Sequence, residues 1–161
     1  MALGLVRIRH VKLPVTDLRH SVAWYQALLD LEVAAEFCEQ GSVRGVQLTA
    51  PDGSFAIALR ERQYCASKPD LSGFDVFALE AESVAALHDL VARCERLGVA
   101  CGGVQDRGEY GASLDIADPD GTVLRFLANN VIGPGSFFGV DVDAEGRPSL
   151  YGQPRLTGQD G

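Results

Sequence analysis

His10-Val11-Lys12-Leu13-Pro14-Val15-Thr16-Asp17-Leu18 opens a pattern that this chain writes twice. Apolar and polar side chains alternate up to Val15, which predicts a strand over 7–15. Asp17 is an N-cap, because its carboxylate can accept a backbone N–H from the first helical turn. Leu18, Val22, Tyr25, Leu28 and Leu29 then recur at helical spacing, predicting a helix over 18–31 with Trp24 and Tyr25 in the core. Strands are predicted over 33–37 and 43–49, around the turn Gln40-Gly41-Ser42. Pro51-Asp52-Gly53-Ser54 is a tight turn, since Pro presets φ and Gly accepts positive φ. Over 55–60, Phe55, Ile57 and Leu59 form an apolar face, and Ala56, Ala58 and Arg60 form the other.

The second copy begins at Val76-Phe77-Ala78-Leu79-Glu80-Ala81-Glu82-Ser83-Val84, within a strand predicted over 74–81. Ser83 caps a helix to Leu97 that turns Leu87, Leu90, Val91, Cys94 and Leu97 inward, and Gly98 ends it. Candidate strands follow over 99–104 and 112–117, with a glycine-bearing loop at 106–111. Asp118-Pro119-Asp120-Gly121 repeats the tight turn, and 122–127 is the last strand. Residues 61–73 read as a linker. After residue 128 the pattern stops, and Gly133-Pro134-Gly135 breaks regular structure. Phe137, Phe138 and Tyr151 lie in that tail, so part of it is expected to pack on the body or on a partner subunit.

With 161 residues, 47% hydrophobic and 22% charged, the chain fits one globular domain or two fused half-domains. A net charge of −8 argues against nucleic acid, whose phosphates need a basic face, and against anionic membranes. No stretch reaches the length of an apolar membrane span. No export signal precedes Arg7, so a cytoplasmic location is the expectation. Cys38, Cys65, Cys94 and Cys101 include no Cys-x-x-Cys pair, and four free, mostly buried thiols are expected. Spacing leaves a Cys94–Cys101 disulfide open.

These motifs, together with Trp24-Tyr25, Leu97-Gly98-Val99 and Asp118-Pro119-Asp120-Gly121-Thr122-Val123-Leu124-Arg125-Phe126, resemble the vicinal oxygen chelate superfamily. That superfamily includes glyoxalase I, extradiol dioxygenases, fosfomycin-resistance enzymes and bleomycin-resistance proteins. The resemblance covers 7–128, with module one at about 7–62 and module two at about 74–128, and leaves 129–161 as an irregular C-terminal extension. It implies an α+β fold of paired βαβββ modules, whose curved mixed sheet surrounds a cleft with helices outside. It also implies a homodimer, in many members with each cleft shared by both chains.

Metal-dependent relatives draw ligands from four cleft-facing strand positions. Carried over one at a time, His10 matches. The second position falls at Ala58, or at Ile57 in another register, and neither has a donor atom. The third falls at Val76, or at Phe74. The fourth, usually Glu, is Arg125, whose guanidinium repels a cation. One ligand of four remains, too few for a catalytic ion. Glu61 and Asp75 stand next to the expected positions, and a one-residue slip would revive either. Alternation turns Asp75 away from the face of Phe74 and Val76.

The cleft side then presents His10, Lys12, Ala58, Arg60, Phe74, Val76 and Arg125. Apolar walls with a few cations suit an aromatic or anionic small molecule. Arg125 is equally read as a structural partner of Glu80 or Glu109. Two functions are open. One is a metal-independent binding protein of the bleomycin-resistance type, with no cofactor. The other is a lyase, isomerase or dioxygenase, either metal-free with His10 as base and Arg125 as enolate stabiliser, or dependent on a divalent metal after a register slip.

Overall fold

Two strand–helix–strand–strand–strand modules follow one another, each with its own four-stranded sheet, in a computed structural model that describes residues 3–108, 111–128 and 138–156. Module one comprises β1 (Val11–Val15), α1 (Leu18–Leu29), β2 (Glu32–Glu39), β3 (Ser42–Thr49) and β4 (Ala56–Glu61), with sheet order β1-β4-β3-β2. Module two comprises β5 (Ala78–Glu80), α2 (Val84–Leu97), β6 (Gln105–Asp106), β7 (Ala112–Ala117) and β8 (Val123–Ala128), in the matching order β5-β8-β7-β6. In each, the first strand runs parallel to the last and the remaining pairs are antiparallel. The sheets are mixed, the class is α+β, and no barrel closes.

Both helices start where the sequence places a cap. Asp17 accepts from the His20 amide at 2.9 Å, and Ser83 Oγ accepts from the Ala86 amide at 3.2 Å. Helix α2 ends at Gly98 with φ 67°, where a side chain is disfavoured. Helix α1 ends two residues before the predicted limit, at Asp30, which also takes the left-handed conformation with φ 56°. The β2–β3 hairpin turns on Gln40 (φ 50°) and Gly41 (φ 77°), both positive as a two-residue hairpin loop of matching twist requires.

One core joins the modules. Leu13, Val15, Tyr25, Leu28, Leu48, Ile57 and Leu59 of module one meet Leu87, Cys94, Leu114, Ile116, Leu124 and Phe126 of module two. Each fully buried aliphatic side chain contributes about 1.5–3 kcal/mol relative to exposure. Polar ties cross the same boundary. The Tyr25 hydroxyl donates to Asp118 Oδ2 at 2.8 Å. Asp118 Oδ1 also accepts the Asp120 and Thr122 amides, each at 2.9 Å, so one carboxylate shapes the turn before β8 and anchors it to α1. Asp120 accepts from the Thr16 amide and hydroxyl, and Arg93 Nε donates to the Ala27 carbonyl at 2.9 Å.

Several predicted elements are shorter than expected. Strand β1 begins at Val11 rather than residue 7, because the parallel pairing with β4 starts at Val11, opposite Ile57. Leu3, Leu5, Val6 and Ile8 are consequently exposed. Residues 74–77 are not in a strand: the Phe74 carbonyl accepts the Val123 amide and the Phe74 amide donates to Leu71. The segment 99–104 is irregular, and only Gln105–Asp106 pairs with β7. Part of the tail is regular where an irregular extension is predicted. Strands β9 (Gly139–Val142) and β10 (Pro148–Tyr151) form a hairpin that leaves Phe138, Val140, Val142 and Leu150 exposed. Phe137 lies outside the described residues. All four cysteines are free, with only Cys94 fully buried and Cys38 exposed, so most are not buried as expected. Among the described residues, no helix is long and apolar enough to cross a membrane.

Burial raises the pKa of Asp118, and the bonds from Tyr25, Thr122 and Asp120 oppose that rise. A carboxyl raised by folding contributes stability at low pH that is lost as pH climbs through its folded pKa. Tyr25→Phe removes one opposing donor and leaves Oδ2 without it. The expected cost is about 1–3 kcal/mol in urea unfolding at pH 7, shrinking below about pH 4, where the carboxyl is protonated in both states.

Candidate functional site

The strand registers fix the four cleft positions. In the parallel pairs, Lys12 lies opposite Ala58 and Ala78 lies opposite Arg125. Lys12 and Ala78 stand equally far before their helix caps, Asp17 and Ser83, so they are equivalent, and so are Ala58 and Arg125. By the same count His10 corresponds to Val76. The Ile57 alternative fails, because Ile57 is in the core. Module one simply has one more residue between its turn glycine, Gly53, and the cleft position than module two has after Gly121.

A cavity of about 390 Å³ opens on the outer face of the first sheet. His10, Lys12, Ala58 and Arg60 all line it, as the sequence predicts. Strands β2 and β3 add Ala35, Phe37 and Gln47, which the sequence analysis did not single out. The cross-strand registers arrange these residues in rows. Lys12, Ala58, Gln47 and Ala35 form one row, and Pro14, Arg60, Gly45 and Phe37 form the next.

Gly45 decides the shape of the second row. A Cβ there would lie 3.1 Å from the Leu59 carbonyl oxygen and 3.5 Å from both Arg60 Cδ and Phe37 Cβ. Without it, the Arg60 side chain lies across the sheet, with its guanidinium carbon 4.6 Å from the centre of the Phe37 ring. Arg60 Nη2 donates to Glu39 at 2.7 Å. Arg60 Nη1 and His10 Nδ1 are buried and find no hydrogen-bond partner among the described residues. Buried polar atoms of this kind are uncommon and call for an explanation.

The second module's residues do not join this cavity. Phe74 and Val76 are exposed on the irregular segment before β5 and do not line it. Arg125 donates to Asp115 through Nε and Nη2 at 3.0 and 2.9 Å, and Nη1 lies 2.5 Å from Asp75. The hydrogen bonding to Asp115, with the charges of Asp115 and Asp75, raises the arginine pKa against partial desolvation. The structural partners are therefore Asp115 and Asp75 rather than Glu80, while Glu109 lies outside the described residues. Asp75 is beside Arg125, because strand alternation does not apply to the irregular segment 74–77.

The chain is similar over residues 7–126 to the model of the Glyoxalase/Bleomycin resistance protein/Dioxygenase superfamily. The chain belongs to this superfamily. Solved structures of the superfamily's fold agree. A glyoxylase/bleomycin resistance protein/dioxygenase domain from Frankia sp. EAN1pec is 25% identical, with a TM-score of 0.62, covering 81% of this chain and 96% of that one. The fosfomycin resistance protein FosX from Listeria monocytogenes, complexed with Mn(II) and a dihydroxypropylphosphonic acid, is 20% identical, with a TM-score of 0.59 and coverage of 81% and 95%. TnmS3, an antibiotic binding protein from Streptomyces sp. CB03234, is 18% identical, with a TM-score of 0.64 and coverage of 79% and 98%. No curated protein matches.

The donor set of this superfamily member does not fit the superfamily's metal. His10 stands alone: Ala58 and Val76 have no donor atom, and Arg125 is cationic. Among the described residues, no three His, Cys, Asp or Glu side chains are grouped to hold an ion. The two near-misses are occupied elsewhere. Glu61 accepts from Arg44 at 2.9 Å and Asp75 pairs with Arg125.

Arg125→Ala is expected to cost no more than about 1 kcal/mol, because Arg125 and its two partners are each more than a third exposed. Urea unfolding measures that cost. Ligand titration is expected to find the cleft of module one unaffected.

Proposed function

We propose that the chain is a metal-independent small-molecule-binding protein that sequesters an aromatic or anionic ligand in the cleft of module one. The observation carrying this is the pairing of Lys12 with Ala58. The position that should face His10 with a metal donor instead opens room in a largely apolar cavity. The cavity's size suits a small organic molecule. His10, Lys12 and Arg60 supply the polar contacts. A binder of this type needs a preformed pocket and no acid–base pair.

TnmS3 is described as an antibiotic binding protein, and the same use of the fold suits a cleft stripped of metal ligands. FosX, by contrast, is described with Mn(II). We further propose a homodimer in which the exposed Phe74 and Val76 face of a second chain covers the cleft, since both surfaces stand open in one chain. The metal-free enzyme has less support: Arg125 lies outside His10's cavity and is held by two carboxylates.

A panel of aromatic acids, amides and phenols, tested by thermal unfolding, is expected to contain ligands that raise Tm. At a hundred times Kd the gain is about 2.7 kcal/mol. Calorimetry is expected to give one ligand per chain with no product formed and no dependence on chelator. Ala58→Trp fills the cleft and is expected to abolish the shift while the far-ultraviolet spectrum stays unchanged. Hits that still stabilise Ala58→Trp would place binding elsewhere.

A further inference from the structure

We propose that the cleft is selective for a single oxyanion, such as a carboxylate, carried on a flat apolar body, with Arg60 as the specificity-determining residue. This deepens the binding function proposed above and rests on it.

The guanidinium of Arg60 is a planar fork, and each of its edges has a definite state. Nη2 donates to Glu39 at 2.7 Å, which fixes the plane. The Phe37 ring, 4.6 Å from the guanidinium carbon, covers one side of the group. Nη1 remains buried, without an acceptor, in a residue that lines the cavity. The Arg60 side chain is 13% exposed, so water reaches little of it. A buried N–H without a partner is destabilising, the more so when the group is charged. That cost is recovered when an acceptor enters, and a charged acceptor gives the stronger, shorter bond.

Lys12, one row away on β1, adds a second cation to the same cavity. The Glu39 carboxylate already sits on Arg60, so a second negative charge on the ligand would meet repulsion at that edge. One oxyanion is therefore favoured over two. Ala35, Phe37 and Ala58 offer small and aromatic contacts to a flat ring, and Glu36, a carboxylate on the same lining, adds to the repulsion that a second anionic group would meet. Gly45 leaves the row uncrowded, since a Cβ there would press on the Leu59 carbonyl oxygen at 3.1 Å and come into van der Waals contact with Arg60 Cδ and Phe37 Cβ.

The test compares naphthoate with naphthamide, nearly isosteric probes that differ in the charge of the acceptor. Calorimetric titration of the full chain is expected to show naphthoate binding at least ten times more tightly, as about 1.4 kcal/mol of charged hydrogen bonding requires. In Arg60→Gln the preference is expected to fall close to one.

Equal affinity for acid and amide, with both lost in Ala58→Trp, would overturn the oxyanion proposal while leaving cleft binding intact. A preference that survives Arg60→Gln would overturn the role of Arg60. Failure of naphthoate to saturate at millimolar concentration would also count against the proposal. In that case the panel of neutral ligands still decides separately whether the cleft binds anything.

Discussion

The carboxylate of Asp118 holds the two halves of this protein in register. It accepts the Tyr25 hydroxyl from α1 and the amides of Asp120 and Thr122 from its own turn. A buried charge is costly unless its lone pairs are occupied, and here three donors occupy them. Because the turn leads directly into β8, the bond sets how the second sheet begins relative to the first helix. With Asp120 on Thr16 and Arg93 on Ala27, it joins the modules through their helices and turns. The sheet faces carrying His10 and Arg125 are left apart, each on its own module.

That separation governs the chemistry. Of the four positions from which metal-dependent relatives are expected to draw ligands, His10 alone carries a donor atom suited to a cation here. The first sheet keeps a cavity of its own, shaped by the absence of side chains as much as by their presence. Ala58 and Ala35 leave space in one row, and Gly45 leaves space for Arg60 to lie against Phe37 in the next. On the second sheet the arginine at the equivalent position is neutralised by Asp75 and Asp115. The two arginines thus have opposite fates. Arg125 has its donors used within the protein, and Arg60 retains one buried donor without a partner.

Much of this was legible in the sequence because local chemistry and the repeat agreed. Asp17 and Ser83 cap their helices as their side chains require, and Ile57 and Leu59 fall on the buried face by alternation. Lys12, Ala58 and Arg60 came together because they alternate along two neighbouring parallel strands, and His10 stands just before the first of them. Phe37, Gly45 and Gln47 were missed, since cross-strand neighbours depend on the register of β2 and β3, and β2 carries bulges that no periodicity reveals. Strand lengths at 7–10 and 74–77 were overestimated for a related reason. Alternation marks a segment able to form a strand, but pairing needs a partner opposite it. The neutralisation of Arg125 was anticipated with the wrong carboxylates, because Asp115 faces it from β7.

The most direct test of the account is elemental mass spectrometry on protein purified without a metal-affinity tag, before and after loading with zinc, nickel, manganese and iron(II). The expected result is no stoichiometric metal under any condition, because Ala58, Val76 and Arg125 stand where His10 would need partners. A near-equimolar, chelator-sensitive ion would contradict it. That outcome would mean Glu61 or Asp75 leaves its arginine to ligate metal, and the protein would then be a metal-dependent enzyme rather than a binder.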